Sequence, residues 1–137
     1  MQEMMAPENR EAMRTGMALF ASHADVRRVV TDLPDGVHAV TTSADPKVAT
    51  LIQAHVAEMY ARLDSGNAFP YPMSASVPML FENSTRYQRK LMALPDGIGV
   101  TETSTDPTMI KVIQSHAREI TGFVREGMPA MMRGMMR

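Results

Sequence analysis

The chain has 137 residues, 14 Lys and Arg against 15 Asp and Glu, a formal net charge of −1, no Cys, no Trp and 15 Met. That length suits one domain, residues 1–137, with a real core, while the near-cancelling charge and scarce aromatics argue against nucleic acid as a partner. Without Cys there are no disulfides, zinc-thiolate sites or thiol catalysis, and no apolar run approaches the roughly 20 residues of a membrane span.

The first residues, Met1-Gln2-Glu3-Met4-Met5, lack the basic and apolar regions of a signal peptide. A mature exported chain reads the same way, so the expected location is periplasmic if a signal has been removed and cytoplasmic otherwise.

Ala12, Gly16, Leu19, His23, Val26, Val30 and Leu33 recur at helical spacing. This predicts a first helix stopped by Leu33-Pro34-Asp35-Gly36, with Pro presetting a turn and Gly supplying positive φ. A short strand follows over 37–42, with Val37 and Ala39 on one face and His38 exposed on the other. Asp45-Pro46 then reads as an N-cap and first helical position. The second helix carries the apolar stripe Val48, Leu51, Ile52, His55, Val56, Met59 and Leu63.

Residues 66–78 are rich in Pro, Ser and Ala and read as an ordered crossover loop. Beyond it the pattern starts again. A shift of 61 positions lays Leu33-Pro34-Asp35-Gly36 on Leu94-Pro95-Asp96-Gly97, Thr42-Ser43 and Asp45-Pro46 on Thr103-Ser104 and Asp106-Pro107, and Ile52-Gln53 with His55 on Ile113-Gln114 with His116. Roughly a third of the positions from 19 to 66 are identical to their counterparts, at a period typical of structural repeats. Residues 128–137 form a Met-rich tail, expected to be disordered or partner-docking.

The expected fold is therefore α+β and mainly helical. It is a tandem pseudo-twofold repeat of α-β-α units, about 8–66 and 74–127, with four helices against a small antiparallel β-ribbon. One strand per unit leaves open edges, so a homodimer or larger homo-oligomer is expected.

The repeated Thr-Ser-x-Asp-Pro and Ile-Gln-x-His motifs, with the closing Phe123-Val124-Arg125-Glu126-Gly127-Met128, resemble a group of small, poorly characterised bacterial proteins. The resemblance covers most of the chain. It implies the fold and export in many members, and it carries no catalytic residue. It also implies a histidine where this chain has Ser84, so a fully symmetric site is not expected.

Three histidines lie on apolar stripes: His23, and His55 and His116 at the same position of the two copies. A buried imidazole can tie a helix to a neighbouring carbonyl, or it can ligate. Met59 follows His55 by one turn, and Met13 and Met17 precede His23 on the first helix. Imidazole with thioether suits a copper ion, and a His–Met or His–His pair suits haem iron. The same methionines read equally as core filler. Glu58 and Glu119, three residues after the paired histidines, read as solvated charges at the stripe edge. No phosphate loop, nucleophile elbow or zinc-protease motif occurs. Three functions stay open: a metal- or haem-binding protein using His23, His55, His116, Met13, Met17 and Met59; a cofactor-free oligomeric interaction module; and an enzyme with a His-lined apolar pocket.

Overall fold

The computed structural model describes residues 6–68 and 74–136. In chain order these form α1 (Pro7–Ala21), a single 3₁₀ turn (His23–Asp25), β1 (Arg27–Leu33), β2 (Gly36–Thr42), α2 (Pro46–Ser65), α3 (Val77–Glu82), β3 (Gln88–Leu94), β4 (Gly97–Thr103), α4 (Pro107–Glu126) and α5 (Met128–Met135). The fold is α+β, with five α-helices and one four-stranded antiparallel sheet of order β1-β2-β4-β3 among the described residues.

The segments Arg27–Leu33 and Gln88–Leu94, expected to end long first helices, are instead the outer strands of two hairpins. Val26, Val30 and Leu33 satisfy helical spacing. The β-branched run Val29-Val30-Thr31 nevertheless favours the pleated surface, and burial alternates from Arg27 to Thr31 as a strand requires. The expected two-stranded ribbon is thus a four-stranded sheet. Leu-Pro-Asp-Gly does not stop a helix; it is a hairpin turn, with Leu33 paired to Gly36 and Leu94 to Gly97.

Neither turn glycine has positive φ, contrary to expectation. They are required by proximity: a Cβ on Gly36 would lie 1.9 Å from the Glu102 carbonyl oxygen, and one on Gly97 would lie 2.0 Å from that of Thr41. The helix caps follow the sequence reading. Asp45 accepts from the Lys47 N–H and Asp106 from the Thr108 N–H, both at 2.9 Å.

The same hydrogen bonds recur at the 61-residue offset. Gln53 donates to the carbonyls of Leu94 and Gly97, and Gln114 to those of Leu33 and Gly36. Ser43 N–H reaches the Asp96 carbonyl and Ser104 N–H the Asp35 carbonyl. Each central helix is therefore pinned to the hairpin of the other half. Accordingly, among the strands, α4 packs most on β2 and α2 most on β4. Two core clusters result, one with Val37 against Met109 and Ile113, the other with Ile98 against Val48 and Ile52. At the centre of the sheet Ala39 pairs with Val100, the residue 61 positions on.

Val37, Ala39 and Ile98 face the helices and are buried, as expected from alternation. Arg28 and Glu102 share that face. His38 lies on the opposite face but is not free: it is half-buried, and its Nδ1 sits 2.8 Å from Thr101 Oγ1. The crossover loop expected over 66–78 is helical from Val77, and residues 69–73 lie outside the described part of the chain. The expected tail is the helix α5, whose Ala130 and Met131 are buried while Met132 and Met135 are exposed.

Gly36→Ala or Gly97→Ala should lower stability by about 3 kcal/mol, because the intruding methyl meets backbone that cannot rotate away. Gly16→Ala, in a helix with nothing within 4 Å of the new methyl, should be neutral or stabilising by up to about 1 kcal/mol. Urea denaturation of the three variants checks both statements.

Candidate functional site

A cavity of about 430 Å³ lies between the inner face of the sheet and helices α1, α2, α4 and α5. Its walls are mostly apolar, with Ile52, Val56, Leu80, Val100, Ile120 and Phe123 among them. All six candidate donors, His23, His55, His116, Met13, Met17 and Met59, border this one space. They come from four elements: α1 for Met13 and Met17, the 3₁₀ turn for His23, α2 for His55 and Met59, and α4 for His116.

His116 is the most constrained. Its Nδ1 lies 2.8 Å from Ser76 Oγ, and Ser76 Oγ lies 2.8 Å from Glu119 Oε1. Ser74 Oγ also donates to Glu119 Oε1, and the Ala75 N–H donates to Oε2 at 3.0 Å. Burial raises the Glu119 carboxyl, but the donors Ser74, Ala75 N–H and Ser76 outweigh it and hold the group below the usual carboxylate range. Glu119 is therefore not the solvated charge expected from sequence; it anchors the segment before α3 onto α4. An ionised carboxylate accepts only, so the single Ser76 hydroxyl proton goes to Glu119, the charge-assisted choice. Ser76 then accepts from His116 Nδ1–H. That tautomer leaves Nε2 as a bare lone pair on the opposite edge of a ring that borders the cavity. Burial and the nearby Arg28 charge push the His116 pKa down to about 4, which keeps the lone pair unprotonated at neutral pH.

His55 occupies the equivalent position on α2. Burial lowers its pKa, against the opposing charge of Glu58; the residue is half-buried and borders the cavity. Glu58 itself pairs with the buried Arg62 at 3.0 Å. His23 does different work. It sits just after α1, in the 3₁₀ turn, and its Nδ1 lies 2.9 Å from the Val124 carbonyl near the end of α4. Its ring covers Gly127, where a Cβ would approach to 2.3 Å. Met17 is partly open to solvent, at 38 % exposure, and Met59 is half-buried. Among the described residues no three His, Asp or Glu side chains form a metal-holding group.

Sequence reasoning missed three polar residues on the cavity wall. Glu102 is buried, accepts a 2.9 Å bond from the Tyr60 hydroxyl at Oε2, and is pushed up by burial against the pull of Tyr60, Arg89 and Arg28. Arg28 is held by Thr41 and Thr121, and burial lowers its pKa to about 10. The signal for Glu102 was present: if Ile98 and Val100 face inward, so does Glu102. Arg28 was hidden by the mistaken helix.

No family model, curated protein or solved structure matches this chain. Among the described residues no helix is long and apolar enough to cross a membrane.

An exposed imidazole titrates near 6.5 and folded His116 near 4, so the unfolded chain binds the extra proton between those values. Stability should be complete above about pH 6.5 and fall by about 3 kcal/mol toward pH 4, with His55 adding in the same direction. His116→Gln should flatten much of that fall, as read from denaturation midpoints across the range.

Proposed function

We propose that this protein binds an apolar organic molecule in the cavity and offers it an imidazole nitrogen. The observation that carries the reading is the 430 Å³ apolar space bordered by a histidine whose tautomer is fixed with Nε2 bare. Cavities of about 300–1,000 Å³ with few, oriented polar groups are typical of small-molecule sites. A bare metal ion would not need that volume. Haem is the cofactor whose requirements coincide with it: apolar walls, a neutral imidazole as axial ligand, and a second histidine or a thioether within the same space.

A copper ion is the second reading. It is favoured by the convergence of His55 and Met59, one turn apart on α2, with Met13 and Met17 of α1 on one cavity wall.

We further infer that the chain is a tandem duplication about a pseudo-twofold axis through the Ala39–Val100 pair, and that it assembles as a homodimer. The matched hydrogen bonds support the first inference. The outer strands, with Val29 and Met92 exposed at 67 % and 62 % on the uncovered sheet face, support the second.

Protein purified without chelator is to be examined by absorption spectroscopy and elemental analysis, then titrated with haemin, with cuprous ion and with N-phenylnaphthylamine as an apolar fluorophore. The expected result is saturable binding of the fluorophore and a Soret band with haemin. His116→Ala should weaken haemin at least tenfold and His38→Ala should leave it unchanged. Stoichiometric copper lost in His55→Ala would favour the second reading, and no binding of any probe would overturn both. Light scattering at high micromolar concentration should give twice the chain mass; monomer alone removes the assembly proposal.

A further inference from the structure

Arg28 and Arg89 occupy the same position of the two hairpins, 61 residues apart, each on the sheet face turned to the helices. They are used differently. Arg89 is bound at its outer end: its Nη2 donates to Asp64 Oδ1 at 2.7 Å and its Nη1 to the Ser84 carbonyl at 2.9 Å. Arg28 is turned into the cavity wall. Its Nε donates to Thr121 Oγ1 at 3.2 Å, its Nη1 to Thr41 Oγ1 at 2.9 Å and its Nη2 to the Ala117 carbonyl at 3.4 Å. All three acceptors are neutral, and among the described residues no carboxylate comes within ion-pair distance of it. One hydrogen of each terminal nitrogen has no acceptor there. Guanidinium groups are rarely buried without a paired anion, and the two free hydrogens on adjacent nitrogens match the spacing of a carboxylate.

The opposite corner of the cavity carries a carboxyl instead of a guanidinium. Position 41 of the first half is Thr, and its counterpart is Glu102; position 121 is Thr, and its counterpart is Tyr60. The Arg28–Thr41–Thr121 corner is cationic, and the Glu102–Tyr60 corner holds a carboxyl with Oε1 unengaged. Between them the wall is apolar, with Val37, Ala39, Ile98 and Val100. The space is thus polarised from end to end by two substitutions between otherwise equivalent positions.

We infer that the ligand is an apolar carboxylic acid, seated with its carboxylate in the fork of Arg28 and its hydrocarbon body along the cavity. The inference rests on the cavity-binding reading above and deepens it. A doubly charged group such as phosphate does not fit: one guanidinium answers one negative charge, and among the described residues Arg28 is the one Arg or Lys on the cavity wall. Glu102 sets polarity, since an acid entering the other way would meet a buried carboxyl and a tyrosine oxygen in place of a guanidinium. A fatty acid or an aryl acid has this chemistry.

The test is isothermal titration of the full chain with decanoate, decanol and methyl decanoate, repeated with Arg28→Gln and Arg28→Lys. The wild-type protein should bind decanoate at least tenfold more tightly than decanol or the ester. In R28Q the acid should fall to the level of the alcohol while the alcohol itself is unchanged, and R28K, which keeps the charge without the fork, should lie between. Decanol bound as tightly as decanoate by the wild type overturns the role of Arg28 and leaves the cavity reading standing. Failure of all three molecules to bind overturns both. Because the acid–alcohol comparison is made first on the wild type, it decides even if a variant folds poorly.

Discussion

The side-chain amides of Gln53 and Gln114 reach from the middle of α2 and α4 to the backbone carbonyls that flank the hairpin turn of the opposite half. Everything else in the molecule is arranged around that reach. A hairpin turn leaves carbonyls pointing away from its own ladder, and on the helix side they would be buried without donors. The glutamine supplies two hydrogen bonds at each turn, each with a net worth of about 1 kcal/mol and a larger cost if left unmade. The turn glycines belong to the same device. They let the backbone of the adjoining central strand pass close enough for the amide to span both carbonyls. The repeated motifs thus have a mechanical explanation: Ser43 and Ser104 tie the strand ends to Asp96 and Asp35, aspartates cap the helices, and glutamines lock the turns.

The histidine that follows each glutamine by two residues inherits its direction. With Gln53 and Gln114 directed at the turns, and Ile52 and Ile113 in the two cores, His55 and His116 are aimed at the space between the helices and the centre of the sheet. The two halves then diverge in how that space is furnished. On one side Ser74, Ser76 and Glu119 orient His116; on the other, Glu58 is taken by the buried Arg62. The polar chemistry of the cavity lies in these differences and not in what the halves share.

Much of this was legible in the residues. The caps at Asp45 and Asp106, the inward faces of Val37, Ala39, Ile98 and Val100, and the common destination of His55 and His116 follow from local rules: capping chemistry and the periods of helix and strand. The outer strands did not, because Val26, Val30 and Leu33 are spaced as a helix would space them, and only pairing with β2 decides between the two periods. The same error hid Arg28, whose inward aim depends on belonging to a strand. Glu119 was misread for a different reason. Its donors lie more than forty residues away in sequence, and no local pattern announces them. Residues 128–137 read from composition as a disordered or partner-docking tail; Met128–Met135 is a helix, with Ala130 and Met131 buried.

Crossed packing has a consequence for how such a chain acquires its structure. Among the strands, α4 leans most on β2 and α2 most on β4, so neither half offers its own long helix a complete sheet partner. The closing contacts join residues separated by forty to eighty positions, and loop closure precedes the reward from burial. Folding is thereby concentrated into a single event in which both hairpins and both long helices engage together. A ribosome-bound first half can lay α2 against α1, but the sheet-facing side of α2 stays incomplete until the second hairpin has emerged. Two fragments divided between the halves carry complementary surfaces, and each is the template on which the other becomes ordered.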